Sequence, residues 1–231
     1  MIPIVQAQEQ PITSVPTANR SGLFFNGLRL NAGEKVYTNT FLFVNSMGFG
    51  IHKNFELHAG LVIIPLVGES SSGALPLITV LPRIGYDFGN YHHVSAGVLI
   101  NTGVKSTFLN QQIAYSFGSR RNNIGILYSS NEMFMENERT WYLQYHFFPF
   151  KRISLGAEHL LWSSYKKQNS LLPYHATNNH DPLLPSNFVG RIHFSPNFVL
   201  ALGYFSDYAS FSQDGILYLS ASLRINKKKS S

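Results

Sequence analysis

The chain contains no cysteine in its 231 residues. Disulfide scaffolds and cysteine-ligated zinc sites are therefore excluded. Charged side chains are scarce, at 13% of the residues, against about 25% in soluble proteins. The mean hydropathy is −0.04, and no stretch approaches the roughly 20 consecutive apolar residues of a membrane-spanning helix. These absences exclude a disulfide-rich secreted domain and a helical membrane protein.

Aromatic residues are abundant by contrast, at 14% of the chain, with 18 Phe and 12 Tyr. Few charges, many aromatics and average hydropathy together are typical of a β-barrel that has one apolar and one polar face. The net charge is +6, but the basic residues are scattered apart from a tail at 227–229. Since no basic stripe is present to follow a phosphate backbone, we expect no nucleic-acid partner.

The chain reads as one domain, because no linker, charged block or low-complexity tract divides it. Residues 1–7 resemble the end of a secretory signal, with Val5 and Ala7 at the positions of a small-residue cleavage site. The alternative is an ordinary flexible N-terminus. We expect a signal-peptide remnant and flexible N-terminus over 1–20, a barrel over 21–226 and a basic C-terminal tail over 227–231.

A degenerate repeat runs along the chain and predicts five β-hairpins. Each copy has a bulky residue, a small or polar residue and another bulky residue, then a short turn, then a strand that contains glycine. The turns are rich in Gly, Asn and Pro, as tight turns require. They begin at His52, Gly89, Gly118, Pro149 and Ser195.

The two faces of these strands differ sharply when side chains are assigned by period-two alternation. Apolar and aromatic residues share one face, as in Trp141, Leu143, Tyr145 and Phe147. The charged strand residues fall on the other face: Glu56, Arg83, Asp87, Glu158, Arg191 and Arg224. Because a Lys or Arg facing lipid at mid-membrane costs roughly 2–4 kcal/mol, this segregation predicts a transmembrane barrel. Asn45, Gln111 and His159 fall on the apolar face, and Pro82 lies within a strand.

The predicted fold is an all-β, closed, antiparallel, up-and-down transmembrane β-barrel of about twelve strands. Five hairpins supply ten strands, and further strands are expected over 22–30 and 215–225. Longer, more polar connections are expected at 67–73, 133–138, 164–186 and 206–214. Short turns on one side and long loops on the other are the asymmetry of outer-membrane barrels, with turns and termini periplasmic. The alternative is a soluble β-sandwich or a lipocalin-like barrel, whose apolar face would point inward.

The pattern resembles bacterial outer-membrane β-barrels in general. Residues 33–40, followed by 41–50 and 54–57, resemble uncharacterised barrel proteins of the Bacteroidota type. The resemblance covers most of the chain in pattern and implies a location in the bacterial outer membrane, with membrane lipid as a partner. Such barrels often end on an aromatic residue, whereas this chain ends with Ile225, Asn226 and the basic tail.

The candidate ligand-binding or lumen-lining residues are the six charged residues and three histidines on the same face, His58, His146 and His193. An ion pair between Asp87 and Arg83 could either plug a narrow barrel or line a small pore and set its selectivity. The histidines lie on separated strands, so we expect polar filling rather than a metal site. No nucleophile elbow, phosphate-binding loop or zinc-protease motif occurs. Accordingly, no catalytic residues, metal or cofactor are predicted.

Three functions follow from these observations. The first is a porin-like small-solute channel or a ligand-binding barrel lined by the charged residues. The second is a membrane-embedded lipid hydrolase or lipid A-modifying enzyme, which requires a Ser–His pair on the outer face. The third is a structural or surface-interaction barrel that acts through the loop at 164–186. Enzymatic activity is not predicted by any motif in the sequence.

Overall fold

The computed structural model describes residues 19–20, 25–40, 44–68, 71–103, 107–133, 136–164, 187–205 and 216–225. Within these ranges, twelve strands form one sheet. In chain order they are β1 (Lys35–Thr40), β2 (Val44–His52), β3 (Phe55–Gly68), β4 (Ser71–Phe88), β5 (His92–Thr102), β6 (Thr107–Gly118), β7 (Asn123–Met133), β8 (Glu136–Phe150), β9 (Ile153–Ser163), β10 (Asn187–Ser195), β11 (Phe198–Phe205) and β12 (Ile216–Ile225). Within the described ranges, no helix is long and apolar enough to cross a membrane.

The sheet closes on itself. Each strand pairs antiparallel with its neighbours in sequence, and β1 pairs with β12 from Lys35 opposite Ile225 to Thr40 opposite Ser220. Closure leaves no strand edge to be satisfied by water or another chain. The prediction of an all-β, closed, antiparallel barrel of about twelve strands is confirmed.

Most apolar side chains point out of the barrel and most polar ones point in, with inward apolar exceptions such as Leu81, Leu127 and Val189. In β10, Phe188, Ile192 and Phe194 are exposed, whereas Asn187 and Arg191 are buried. Leu217 and Leu219 of β12 are each 68% exposed. A lipocalin-like barrel would have the reverse arrangement. The outer surface is therefore a belt of hydrocarbon side chains around a polar interior.

Aromatic side chains cluster where the strands meet the short turns. Tyr86 and Phe88 stack edge to face with ring centroids 4.9 Å apart, and the rings of Phe194 and Phe198 are 5.9 Å apart. Rings of this kind are enriched at the level of lipid headgroups in membrane barrels. The cluster marks one end of the outer apolar belt.

Five short turns lie at one end of the barrel, as the repeat predicts. They connect β2 to β3, β4 to β5, β6 to β7, β8 to β9 and β10 to β11. The first residue of β1, Lys35, and the last residue of β12, Ile225, lie at the same end of the barrel. At the opposite end the predicted loop over 67–73 is wrong, because β3 and β4 continue pairing as far as Gly68 and Ser71. The predicted loop over 133–138 is likewise shorter, since β7 and β8 pair as far as Met133 and Glu136.

Several predicted segments lie outside the described residues: 1–18, 165–186, 206–215 and 226–231. They include nearly all of the two longest predicted loops and the C-terminal tail.

The predicted first strand over 22–30 is wrong for the part that is described. Residues 25–30 run through the inside of the barrel, residues 31–33 are exposed at its mouth, and the strand that closes the sheet is β1. Leu28 and Leu30 alternate as strand residues would, yet they are 1% and 3% exposed within the interior. Val36, Thr38 and Thr40 of β1 supply the inward-facing positions instead.

Pro82 interrupts the pairing of β4 with β5. The ladder runs to Val80 opposite Ile100 and resumes at Arg83 opposite Gly97. Because proline has no N–H to donate, a central strand accommodates it most easily where the ladder is broken. This break explains how Pro82 is tolerated inside a long strand.

Candidate functional site

The polar interior of the barrel is the candidate functional site. Glu56 and Glu158 are 0% exposed, and Arg83 and Arg191 are 2% and 3% exposed. Because ionised side chains are almost never fully buried without partners, each of these side chains raises the question of what compensates it.

Part of the compensation comes from a segment of the chain that lies within the barrel. We call residues 19–20 and 25–34 the inner segment. Arg20 and Phe25 form an antiparallel bridge, and the N–H of Asn26 donates to the carbonyl of Asn19 at 3.0 Å. The inner segment thus folds back on itself inside the barrel and contacts strands on opposite sides of the wall, β3 and β8 among them.

Arg83 and Glu56 form the central contact between the wall and the inner segment. They lie directly opposite each other on β4 and β3 and are joined by an ion pair between Nη1 and Oε1. Arg83 also donates to the carbonyl oxygens of Asn26 and, at 3.5 Å, Leu28. The other carboxylate oxygen of Glu56 accepts the N–H of Leu30 at 2.6 Å. One buried ion pair therefore binds one N–H group and two carbonyl oxygens in the main chain of the inner segment.

The predicted ion pair between Asp87 and Arg83 is wrong. The two residues share a face of β4 but are four positions apart, which is about 13 Å along a strand. A cross-strand neighbour is much closer than that, and Glu56 is that neighbour of Arg83.

Asp87 instead forms a cluster at the end of the barrel that carries the short turns. Its carboxylate contacts Arg29 Nη2 at 2.8 Å and His93 Nδ1 at 2.7 Å. Arg29 also donates to the carbonyl of Val94 at 3.0 Å. With 46% of the Asp87 side chain exposed, this cluster lies at the mouth rather than in the interior.

Glu158 is part of a hydrogen-bond network of side chains from four strands. Asn187 Nδ2 donates to one carboxylate oxygen at 2.7 Å and Gln144 Nε2 to the other at 3.2 Å. Tyr218 donates to Asn187 Oδ1 at 2.9 Å, and Gln144 Nε2 also lies 3.2 Å from the carbonyl of Phe25. Gln144, Asn187 and Tyr218 were missed as site residues. Alternation could have found Gln144, because it lies two positions before His146.

His146 and His193 lie on the inner face near the short turns. His193 Nε2 is 2.9 Å from Ser154 Oγ, and the ring of Phe148 lies between the two histidines, at centroid distances of 5.4 Å and 4.7 Å. Within the ranges that the structure describes, no three His, Asp or Glu side chains converge as a metal site would require. This Ser–His contact faces the interior, not the lipid face that a membrane lipid hydrolase would use.

The remaining predicted residues line the wall near the inner segment. His58 Nε2 lies 3.2 Å from Glu56, and its ring is 4.4 Å from that of Phe25. Arg224 pairs with Glu34 at 3.4 Å.

Arg20 brings a further positive charge into the interior. Its guanidinium lies over the ring of Phe25 at 4.3 Å, and Nη2 is 3.5 Å from Ser46 Oγ. Burial disfavours the charged form and lowers the pKa of Arg20 to about 10. Arg20 therefore remains charged at neutral pH.

Little space is left between the inner segment and the wall next to it. A cavity of about 10 Å³ lies among Arg20, Leu30, Thr38, Ser46 and His58, together with Asn19, Val36 and Gly48. Such a volume holds about one water molecule. The inner segment is thus closely packed against β1, β2 and β3.

Gly27 permits a close approach of the inner segment to the wall. Its N–H donates to Ser116 Oγ at 2.8 Å, and a Cβ at this position would lie 2.6 Å from the backbone nitrogen of Ser116. We expect Gly27→Ala to displace the inner segment at a cost of about 1–3 kcal/mol. Trypsin cleavage after Arg20 and Arg29 should become roughly tenfold faster, since 1.4 kcal/mol is tenfold in the open population.

Gly190→Ala is the matched control, because a Cβ there would meet its nearest atom only at 3.8 Å. Cleavage is followed by mass spectrometry of the folded protein. Equal cleavage rates for the two variants would show that the inner segment is not held at Gly27.

The chain is similar in fold to solved porin structures. It matches "KdgM porin" with a TM-score of 0.54 and 10% identity, over 84% of this chain and 99% of that chain. It matches "NanC porin structure in rhombohedral crystal form" with a TM-score of 0.49 and 10% identity, over 84% and 98%. For "KdgM porin in complex with disordered oligogalacturonate" the values are 0.49 and 8%, over 83% and 95%. No protein-family model and no curated protein matches the chain.

Proposed function

We propose that the protein is a porin-like small-solute channel of the bacterial outer membrane. The observation that carries this proposal is the closed twelve-stranded barrel with an apolar outer belt and a charged, hydrogen-bonding interior. Lipid is the solvent that suits such an outer surface, because the outward-facing charges of the described strands, Lys35 and Arg139, lie near strand ends rather than at mid-membrane. The fold shared with the KdgM porin and the resemblance to Bacteroidota-type barrels are consistent with this location.

The wall of the proposed channel is electrically balanced. The described inward-facing charges of its strands are three arginines, Arg83, Arg191 and Arg224, and three carboxylates, Glu56, Asp87 and Glu158. Arg120 and Arg121, on the turn between β6 and β7, add positive charge at the mouth only. Most of these charged side chains form an ion pair or accept or donate a hydrogen bond with a neutral polar group. We therefore propose small, neutral or zwitterionic polar solutes rather than strongly anionic or cationic ones.

A ligand-binding barrel is a related form of the same proposal. In it the interior would hold the solute and the inner segment would prevent free passage. The two forms differ in whether ions cross the barrel, which planar-bilayer recording measures directly.

The channel is tested by conductance in the Gly27→Ala background, where we expect the inner segment to be displaced. Adding Arg191→Gln removes one positive charge from the wall and should shift the reversal potential in a salt gradient toward cation permeation, by several millivolts. Arg191 is 3% exposed inside the barrel. Arg152→Gln, on the exposed turn between β8 and β9, is the control and should leave the reversal potential unchanged.

A bilayer that stays silent with correctly folded Gly27→Ala protein would contradict the channel and favour the ligand-binding form. Equal shifts with Arg191→Gln and Arg152→Gln would show that ions do not pass Arg191.

A further inference from the structure

Several of the wall residues that hold the inner segment contact its main chain. Gln144 donates to the carbonyl of Phe25, and Ser95 Oγ donates to the carbonyl of Asn26 at 3.2 Å. Arg191 donates to the carbonyl of Arg20 at 3.4 Å. Added to the contacts of Arg83, Glu56 and Ser116, these make six wall side chains that bind backbone N–H or C=O groups.

These six side chains surround the interior and include both hydrogen-bond donors and hydrogen-bond acceptors. They lie on β3, β4, β5, β6, β8 and β10. Arg83, Arg191, Gln144 and Ser95 donate to carbonyls, whereas Glu56 and Ser116 accept from N–H groups. An extended polypeptide presents alternating donors and acceptors of this kind at every residue.

The side chains of the inner segment contact the wall mainly at its charged residues and at Phe25. Arg29 pairs with Asp87 and donates to the carbonyls of Val94 and Lys53, Glu34 pairs with Arg224, and Arg20 lies 3.5 Å from Ser46 Oγ. The two ion pairs lie toward the end that carries the short turns. Between Phe25 and Arg29, the hydrogen bonds from the wall described above are to the backbone.

We propose that this interior is a binding site for an extended peptide, and that the inner segment occupies it in cis. The inference rests on the proposed channel function and specifies its solute class as short peptides. The balanced wall suits such a solute, because a peptide main chain is neutral and requires donors and acceptors in similar number. Part of the recognition would not depend on side-chain sequence, because six wall side chains contact backbone atoms.

The cis occupant competes strongly with any added peptide. A segment tethered beside its site has an effective concentration of the order of millimolar. Weakening the inner segment without altering the six wall residues should therefore expose the site. Arg29→Ala does this, since Arg29 is buried and contacts Asp87, Val94 and Lys53.

The test measures binding of a fluorescent synthetic peptide of residues 25–34 to the full-length barrel in detergent, by anisotropy. We expect binding to Arg29→Ala to be about fivefold tighter than binding to the unaltered chain. The peptide N-methylated at Gly27 and Leu30 lacks the two N–H groups that Ser116 and Glu56 accept. It should bind about tenfold more weakly.

Two controls separate main-chain recognition from other binding. A peptide in which the exposed Asn31 and Ala32 are changed to serine keeps every N–H and C=O and should bind within about threefold of the original. The double variant Arg29→Cys with Asp87→Cys, joined by a short thiol crosslinker, locks the inner segment in place and should abolish binding. The chain has no other cysteine to react.

The outcomes for site and channel are distinct. Equal binding of the N-methylated and unmodified peptides, or undiminished binding to the crosslinked barrel, would overturn the peptide site. If the crosslinked variant does not fold, the N-methylation comparison decides alone. Conductance in Gly27→Ala without peptide binding to Arg29→Ala would reject the site and keep the channel. Peptide binding with a silent bilayer would support the site and reject the channel.

Discussion

Replacing Glu56 with alanine is expected to destabilise the folded barrel by about 3–5 kcal/mol. Glu56 is fully buried and pairs with Arg83, which is 2% exposed. Removing one partner of a buried ion pair leaves the other charge without compensation, and this is more costly than removing both. The N–H of Leu30 would also lose its acceptor.

The loss is measured by urea unfolding of protein refolded into detergent micelles. Trp141 and Trp162 report the transition, because both are on the outer face and lie opposite each other on β8 and β9. The double variant Glu56→Ala with Arg83→Ala should recover part of the loss, since it leaves no unpaired charge.

Asp87→Ala is the matched control for burial. Asp87 also pairs with an arginine, but 46% of its side chain is exposed at the mouth. We expect a smaller loss of about 1–2 kcal/mol, because water screens Asp87 even though its partner Arg29 is only 3% exposed. If Glu56→Ala costs no more than Asp87→Ala, water reaches the Arg83 pair and the interior is not closely packed.

The second large effect is expected on the outer face. Leu219 lies in the middle of β12 and is 68% exposed. In a bilayer, Leu219→Arg should cost about 2–4 kcal/mol, because a guanidinium at mid-membrane loses its hydration. The measurement is the free energy of unfolding from phospholipid vesicles, again followed by tryptophan fluorescence.

Ile225→Arg provides the comparison on the same strand and face. Ile225 is the last residue of β12, at the end that carries the short turns, and the cost there should fall to about 0–1 kcal/mol. Equal, small costs at both positions would mean that water, not lipid, solvates the belt. That result would remove the basis of the proposed membrane location.

Period-two alternation was sufficient to predict the inner and outer faces. In β10 it correctly separates Ile192 and Phe194 from Arg191 and His193. The faces are predictable because successive side chains point to opposite sides of a strand whatever its partners are. Strand direction and the five short turns follow from the same local pattern.

The inner segment could not be predicted in this way. Leu28 and Leu30 have the spacing of strand residues, and local sequence does not distinguish a strand in the wall from an extended segment inside it. The difference depends on contacts with Glu56, Arg83 and Ser116, which are distant in sequence. Their positions are set by the register of several strand pairs.

The ion pairs were mispredicted for the same reason. Spacing along one strand suggested Asp87 with Arg83, whereas the observed partners are across strands or on the inner segment. Asn45 shows that polar residues on the outer face can also be satisfied locally. Its Oδ1 accepts from Tyr37 at 2.6 Å and Asn39 at 2.7 Å on neighbouring β1.

The way the inner segment joins β1 limits how it can leave. Backbone bonds between Gly33 and Gly50 and between Gly50 and Glu34, at 2.6 Å and 2.8 Å, fix the chain just before Lys35, at the mouth with the short turns. The N–H of Glu34 also donates to the carbonyl of Asn31 at 3.0 Å, so this anchor includes residues 31–34. Release by a swing about the anchor would carry the segment out through that mouth. Passage of solute through the barrel would then be controlled at the mouth that carries the short turns. A solute that enters from the opposite opening would meet the inner segment and could pass only after the segment had moved away from it.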